Sequence, residues 1–277
     1  MLNLLLITRD PEFAAFAVSQ GVQRLFVDLE IHGKLARQGH RDTVISNHSM
    51  DDVAAVRAAV PRHELLVRLN PVHAGSEGEI EQVIDIGADI IMLPMFSELA
   101  EIRRFTTAIA GRCRFIPLIE TPGAVNQIPA LVCEPGVDEL YIGLNDLHMA
   151  LGLDFMFQLL ADGTVERIAG ICREAGMPFG FGGIARMEEG LLPGELVLSE
   201  HLRLGSSAVI LSRTFYRAAN SIDNTRANIN FAYEVVRLRE SEARLAKRDT
   251  SQIIKDHHAL LAGVESVRQQ ICARREK

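Results

Sequence analysis

Asp28, Glu30, Arg68, Asn70, Glu120, Asn145 and Asp146 each stand where a short apolar, β-rich run ends and a loop begins. Carboxylates brought together without a cation repel, and one of them takes up a proton. A divalent ion removes that cost. Glu120 and Asp146 offer only hard oxygen ligands, which suits Mg²⁺ first, with Mn²⁺ or Co²⁺ as alternatives, and leaves positions for water and substrate oxygens. Arg68 adds a rigid donor fork that matches a carboxylate or a developing enolate oxygen. Taken singly, each carboxylate is equally well explained as a helix cap or a solvated loop charge, and Arg68 as an ion pair with Asp28 or Glu30. Their convergence on strand ends is what points to chemistry on a small oxoacid.

The elements that must position these residues alternate between short strands and longer helices, the pattern of a parallel sheet wrapped by helices. Strands are expected at Leu2–Thr8, Arg24–Glu30, Leu65–Asn70, Ile90–Met95, Phe115–Glu120, Leu140–Asn145, Phe179–Ile184 and Ala208–Ser212. Helical spacing covers Asp51–Ala59, Glu79–Ile86, Ser97–Ala110, Val125–Leu131 and Thr164–Ala175. The GADII and GVDELYI segments each place Gly where a helix stops and a buried strand begins. An open doubly wound sheet shares this alternation. Eight strands ending on so many polar residues favour a closed (β/α)8 TIM barrel, whose chemistry gathers at the C-terminal strand ends. Gly180, Gly182 and Gly183 mark a close backbone approach in the seventh strand, without the Lys-Ser/Thr partner of a phosphate loop.

The barrel is expected over residues 1–220, and the charged, nearly Gly-free stretch 221–277 as a C-terminal helical extension. Its spaced apolar residues, from Phe231 to Val264, read as one or two amphipathic helices packing on the barrel or on a neighbouring subunit. A total of 277 residues suits one barrel domain of about 250 residues.

With 29 Lys and Arg against 36 Asp and Glu, the net charge of −7 argues against a phosphate-tracking nucleic-acid surface. Cys113, Cys133, Cys172 and Cys272 are too widely spaced for a zinc cluster and read as reduced thiols of a cytoplasmic protein. The apolar start, MLNLLLIT, reads as a strand and not as a signal peptide. No later run approaches the ~20 apolar residues of a membrane span.

Five segments, FVDLE, LLVRLNP, GADIIMLPM, FIPLIETPGAV and GVDELYIGLNDLHMALG, occur in an order that resembles the HpcH/HpaI aldolase and citrate lyase β-subunit family, over roughly residues 20 to 215. The resemblance implies a metal-dependent carbon–carbon lyase that works through an enolate on pyruvate-like 2-oxoacids or, in another branch, on acyl-CoA thioesters. It carries the metal ligands onto Glu120 and Asp146, and the substrate-binding, enolate-stabilising arginine onto Arg68. Asn145 and Gly143 of the same GLNDL segment are placed beside the substrate. The chain departs from the pattern after DLE, where aldolase members carry His and lyase members Asp; here that position is Ile31. The proton carrier therefore stays open among His32, His40 and a water activated by Glu30 or Asp28. Leu144, where many aldolases have Pro, and the charged C-terminal region are further departures and point to a subgroup with its own substrate.

The first expectation is an aldolase that cleaves or forms a 4-hydroxy-2-oxoacid, as a homo-oligomer (trimer or hexamer) with a 2-oxoacid as its partner and neither nucleic acid nor membrane. A second is a citryl-CoA or malyl-CoA type lyase, for which Lys34, Arg37 and Arg41 are the concentrated basic candidates. A third is a catalytically impaired barrel that binds metal and oxoacid and serves in assembly.

Overall fold

The computed structural model describes residues 1–33, 47–216 and 231–275. Among these residues eight parallel strands follow one another in sequence order around a closed barrel. They are β1 (Asn3–Ile7), β2 (Arg24–Asp28), β3 (Glu64–Arg68), β4 (Ile90–Leu93), β5 (Arg114–Ile119), β6 (Leu140–Ile142), β7 (Phe179–Ile184) and β8 (Ala208–Leu211). Between and after them lie α1 (Pro11–Ser19), α2 (Met50–Ala59), α3 (Ser76–Ile86), α4 (Leu99–Ile109), α5 (Pro122–Leu131), α6 (Leu144–Ala150), α7 (Gln158–Ala161), α8 (Thr164–Glu174), α9 (Gly194–Leu204), α10 (Phe231–Leu245) and α11 (Thr250–Arg275). No helix among the described residues is long and apolar enough to cross a membrane.

The chain divides into two compact units, Leu5–Tyr141 and Met1–Leu4 with Ile142–Lys277. In the first, β2 is buried at all five residues, as a parallel strand covered on both faces must be. Its register with β3 sets Arg24 opposite Glu64 and Asp28 opposite Arg68. Each pair carries an ion pair, so the two strands are locked by opposite charges at both ends. Arg24 also holds the buried Glu139 at 2.7 Å. The two glycine-led segments behave alike. Asp89, after Gly87, accepts the backbone N–H of Leu65, and Asp138, after Gly136, accepts that of Phe115. Each carboxylate thus anchors the start of the preceding strand, an orientation that unpaired strand-end donors require.

In the second unit α9 is the packing centre. Its first residue, Gly194, lies so close to the Ala185 and Arg186 carbonyls that a Cβ could not be accommodated. Helices α10 and α11 both lie against it. Arg244 reaches Glu195, Arg248 donates to the carbonyl of Ser199, and His257 approaches the buried Glu200 at 3.1 Å. Glu242 of α10 accepts the backbone N–H of Leu2 at 2.6 Å and pairs with Arg239, which ties the extension to the chain's first residues. Residues 221–230 of the expected extension lie outside the described residues.

One expectation is corrected here, and one N-terminal element is added. The sixth strand ends at Ile142, not at Asn145: Gly143 turns the chain, and Asn145 and Asp146 belong to the first turn of α6. The N-terminal part, 11–19, forms a helix that apolar spacing alone did not reveal. Asp10 caps it by accepting the N–H groups of Glu12 and Phe13, and Pro11 opens it, the usual start signal.

Candidate active site

The end of β2 and the end of β3 build the first part of the site. Arg68 Nε and Nη2 donate to the two oxygens of Asp28 at 2.8 and 2.9 Å, a planar fork on a carboxylate. Nη2 also lies 3.3 Å from Glu30 Oε2. Both carboxylates are 1 % exposed at the side chain and Arg68 is 14 % exposed. The guanidinium sits 5.6 Å from the Phe26 ring centroid. Burial alone would favour losing its proton, but Asp28, then Glu30, and at longer range Glu120 outweigh it and hold the cation charged well beyond the usual arginine range. The ion pair foreseen as a structural explanation for Arg68 therefore exists. Its consequence is a guanidinium fixed in direction by two carboxylates that still keeps a little solvent access.

Asp28 has a second duty. Its Oδ1 accepts the Glu30 N–H at 3.2 Å, and its own backbone N–H donates to His48 Nδ1 at 3.1 Å. Beyond Glu30 the chain turns out of the barrel wall. Ile31 is 53 % exposed, and the N–H groups of Ile31 and His32 both donate to Asn70 Oδ1 at 3.0 Å. His32 thus follows a turn and is not bound by strand alternation. His40, Lys34, Arg37 and Arg41 lie outside the described residues.

The IETPGA segment explains itself locally. Glu120 follows β5, is buried, and accepts the Met95 N–H at 2.9 Å through Oε1. Thr121 caps α5 by accepting the Ala124 N–H while donating to the Phe96 carbonyl at 2.6 Å, and Pro122 opens the helix. Gly123 is required because a Cβ there would stand 2.9 Å from the Ser97 backbone. Met95 is held at φ 56°, a left-handed conformation costly for a side chain with a Cβ, directly beside Glu120.

In the other unit, Asp146 is the third residue of α6 and is buried. Gly143 takes the N-cap position, and Asn145 is half-buried. Gly182 of β7, at φ 52°, leaves room for Leu144, whose Cδ1 would be 2.7 Å from a Cβ. Gly182 of FGFGG therefore serves the helix that carries Asp146, and Leu144 fills the space it leaves, whereas Gly183 faces the Ile210 carbonyl of β8.

Among the described residues no group of three or more His, Cys, Asp or Glu side chains is gathered as a metal cage. Mg²⁺ does not need one, since it keeps several waters and takes one or two carboxylates together with substrate oxygens. Glu120, after β5 in one unit, and Asp146, on α6 in the other, are each buried carboxylates of the donor type that ion takes.

The family model for HpcH/HpaI aldolase/citrate lyase matches residues 4–179. The chain belongs to this family. A 4-hydroxy-4-methyl-2-oxoglutarate aldolase of Chaetomium globosum is 26% identical over 219 residues, covering 65% of this chain and 74% of the relative. A 4-hydroxy-2-oxovalerate aldolase of Novosphingobium aromaticivorans is 28% identical over 203 residues, 60% of this chain and 71% of the relative. In fold, the chain is similar to the HpcH/HpaI aldolase of Desulfitobacterium hafniense DCB-2, with a TM-score of 0.60 at 14% identity over 76% of this chain and 86% of that one. It is likewise similar to an aldolase/citrate lyase family protein of Burkholderia cenocepacia J2315, with a TM-score of 0.59 at 17% identity over 88% and 94%. The family is one of lyases, generally dependent on a divalent metal.

Sequence reasoning passed over His48, His73, Glu79 and Met95. His73 stands two residues after LNP, Met95 closes GADIIMLPM and Glu79 opens an expected helix, but none of them carried a sign of the site in its residue type; His48 lies in no recognisable segment.

Proposed function

We propose that the chain is a metal-dependent aldolase that cleaves or forms a 4-hydroxy-2-oxoacid through a pyruvate enolate. The observation that carries this reading is Arg68, a half-buried cation held by the buried Asp28 and Glu30 at the C-terminal end of β3. Negative charge develops on the 2-oxo oxygen as the carbon–carbon bond breaks, and a donor already oriented stabilises it without reorganising. Support for the substrate class comes from the two relatives, whose names both specify 4-hydroxy-2-oxoacids.

Glu120 and Asp146 would hold the divalent metal. When bound, the ion supplies Lewis acidity toward the 2-oxoacid. The remaining work falls to the chain's own groups. Arg68 binds the enolate oxygen, Asp28 and Glu30 keep its fork in plane, and Asn145 and Gly143 border the substrate. Asp28 and Glu30 are engaged with Arg68, so the proton on the carbon is better assigned to a group outside that pair, and His32 is the residue we assign.

The test is direct. 4-Hydroxy-2-oxovalerate and 4-hydroxy-4-methyl-2-oxoglutarate are supplied with Mg²⁺, Mn²⁺ or Co²⁺, and pyruvate release is followed. Turnover that chelation abolishes is expected. A metal-loaded protein that releases no pyruvate from either compound and exchanges no pyruvate methyl protons in deuterated water would rule the reading out in favour of an assembly role.

A further inference from the structure

Glu79, on the first turn of α3, reaches toward His32 by two routes. Its Oε1 accepts Asn70 Nδ2 at 2.7 Å, and Asn70 Oδ1 holds the backbone N–H groups of Ile31 and His32. Its Oε2 lies 3.2 Å from His73 Nε2, and the His73 ring meets the His32 ring edge-on with centroids 4.8 Å apart. One carboxylate thus governs both the backbone that carries His32 and the ring against which its imidazole rests.

The tautomer of His73 follows from its neighbours. Its Nδ1 accepts the Gly75 N–H at 3.0 Å, which leaves the proton on Nε2, 3.2 Å from Glu79 Oε2 in a charge contact without hydrogen-bond alignment. His73 therefore has no lone pair left for a base and serves as a platform. His32, by contrast, is exposed, and it lies just beyond the Glu30 that approaches Arg68. Asn70, whose amide oxygen clamps the turn, itself follows β3 by two residues, so the clamp is continuous with the strand that delivers Arg68.

We infer that His32 is the proton carrier of this site, and that Glu79, acting through Asn70 and His73, is the positioning group that replaces the side chain lost at Ile31. The arrangement compensates the departure of this chain from its family: the residue after DLE has no titratable group, and the next one is turned out of the wall and held. In the reaction, His32 gives a proton to the enolate carbon of pyruvate and regains it from the methyl group in the reverse sense. No redox partner is needed.

The inference rests on the proposed aldolase reading, and the experiment separates the two. The metal-loaded protein is incubated with pyruvate in deuterated water, and loss of the methyl proton signal is followed. If the parent exchanges no protons, the aldolase reading fails and the inference with it. If the parent exchanges, His32→Ala should slow exchange at least a hundredfold, with partial recovery on adding imidazole. Glu79→Gln, which keeps the Asn70 bond and removes the charge beside His73, should slow exchange about tenfold at saturating pyruvate, with half-saturation changed less than threefold. A His32→Ala protein that exchanges as fast as an active parent would overturn the assignment of His32. A Glu79→Gln protein that loses pyruvate affinity at unchanged saturated rate would overturn the positioning role.

Discussion

Arg68 shows how a residue can be structural and chemical at once. Removing it as Arg68→Ala takes from the buried Asp28 and Glu30 the cation they pair with, and breaking such a pair costs about 3–5 kcal/mol. Loss of activity in that variant would therefore be mixed with loss of fold. Arg68→Lys is the cleaner substitution: it keeps the charge but cannot form the planar fork on Asp28. We expect it to retain most thermal stability and metal affinity while lowering kcat at least a hundredfold, measured by melting and by pyruvate release. At the proposed metal pair, Glu120→Gln keeps an oxygen for the Met95 N–H and removes the anion. Titration calorimetry should show metal affinity falling at least tenfold for Glu120→Gln and for Asp146→Asn with cooperative unfolding preserved. Parent-like metal binding in both variants would sink the assignment.

At the level of elements, the segments that carry Glu120 and Asp146 depend on residues with no chemistry of their own, Thr121 beside the first and Gly182 under the helix of the second. Thr121→Ala removes the side-chain cap of α5 and the donor to Phe96, and denaturant titration should show a loss of about 1–2 kcal/mol. Gly194→Ala drives a Cβ into the carbonyls of Ala185 and Arg186, both backbone atoms that cannot swing aside, so that variant should be far less stable than Thr121→Ala or fail to accumulate. The same reasoning marks where residue patterns were and were not legible. Apolar runs and glycine stops located the strands because a strand buried on both faces needs little else. The helical start at Leu144 was hidden, because the LYI run continues apolar through Gly143 and Leu144, and only the packing of Leu144 over Gly182 shows that the chain has already turned.

On the scale of the molecule, the second unit holds a titratable group whose behaviour is set entirely by packing. His201 is fully buried, stacked on Phe181 with centroids 3.7 Å apart, and its Nδ1 meets Ser206 Oγ at 2.9 Å. Burial pushes its pKa from 6.5 down to about 3. A folded-state pKa below the unfolded value means that the contribution of the neutral ring is complete above pH 6.5 and is lost as pH falls from there toward 3. The slope is about 1.4 kcal/mol per pH unit. His201→Phe keeps a ring on Phe181 and has no proton to gain. Unfolding by urea at pH 7 and pH 5 should show the parent losing stability more steeply than this variant; equal slopes would refute the account.

The order of strands, the family, the strand ends that carry Asp28, Glu30, Arg68 and Glu120, and the helical character of the extension all follow from the sequence, because each rests on local pattern: apolar runs, stop residues and short motifs. What only the tertiary structure decided are the relations between distant residues. The fork of Arg68 on Asp28 requires β2 and β3 in one register. The clamp on His32 requires Asn70, His73 and Glu79 to meet a turn some 40 residues earlier in the chain, at separations of 39 and 38 for the two backbone bonds. The sequence shows that Ile31 breaks the family pattern; packing shows what stands in its place, since a side chain's direction is set by the neighbours that hold it and not by its own type.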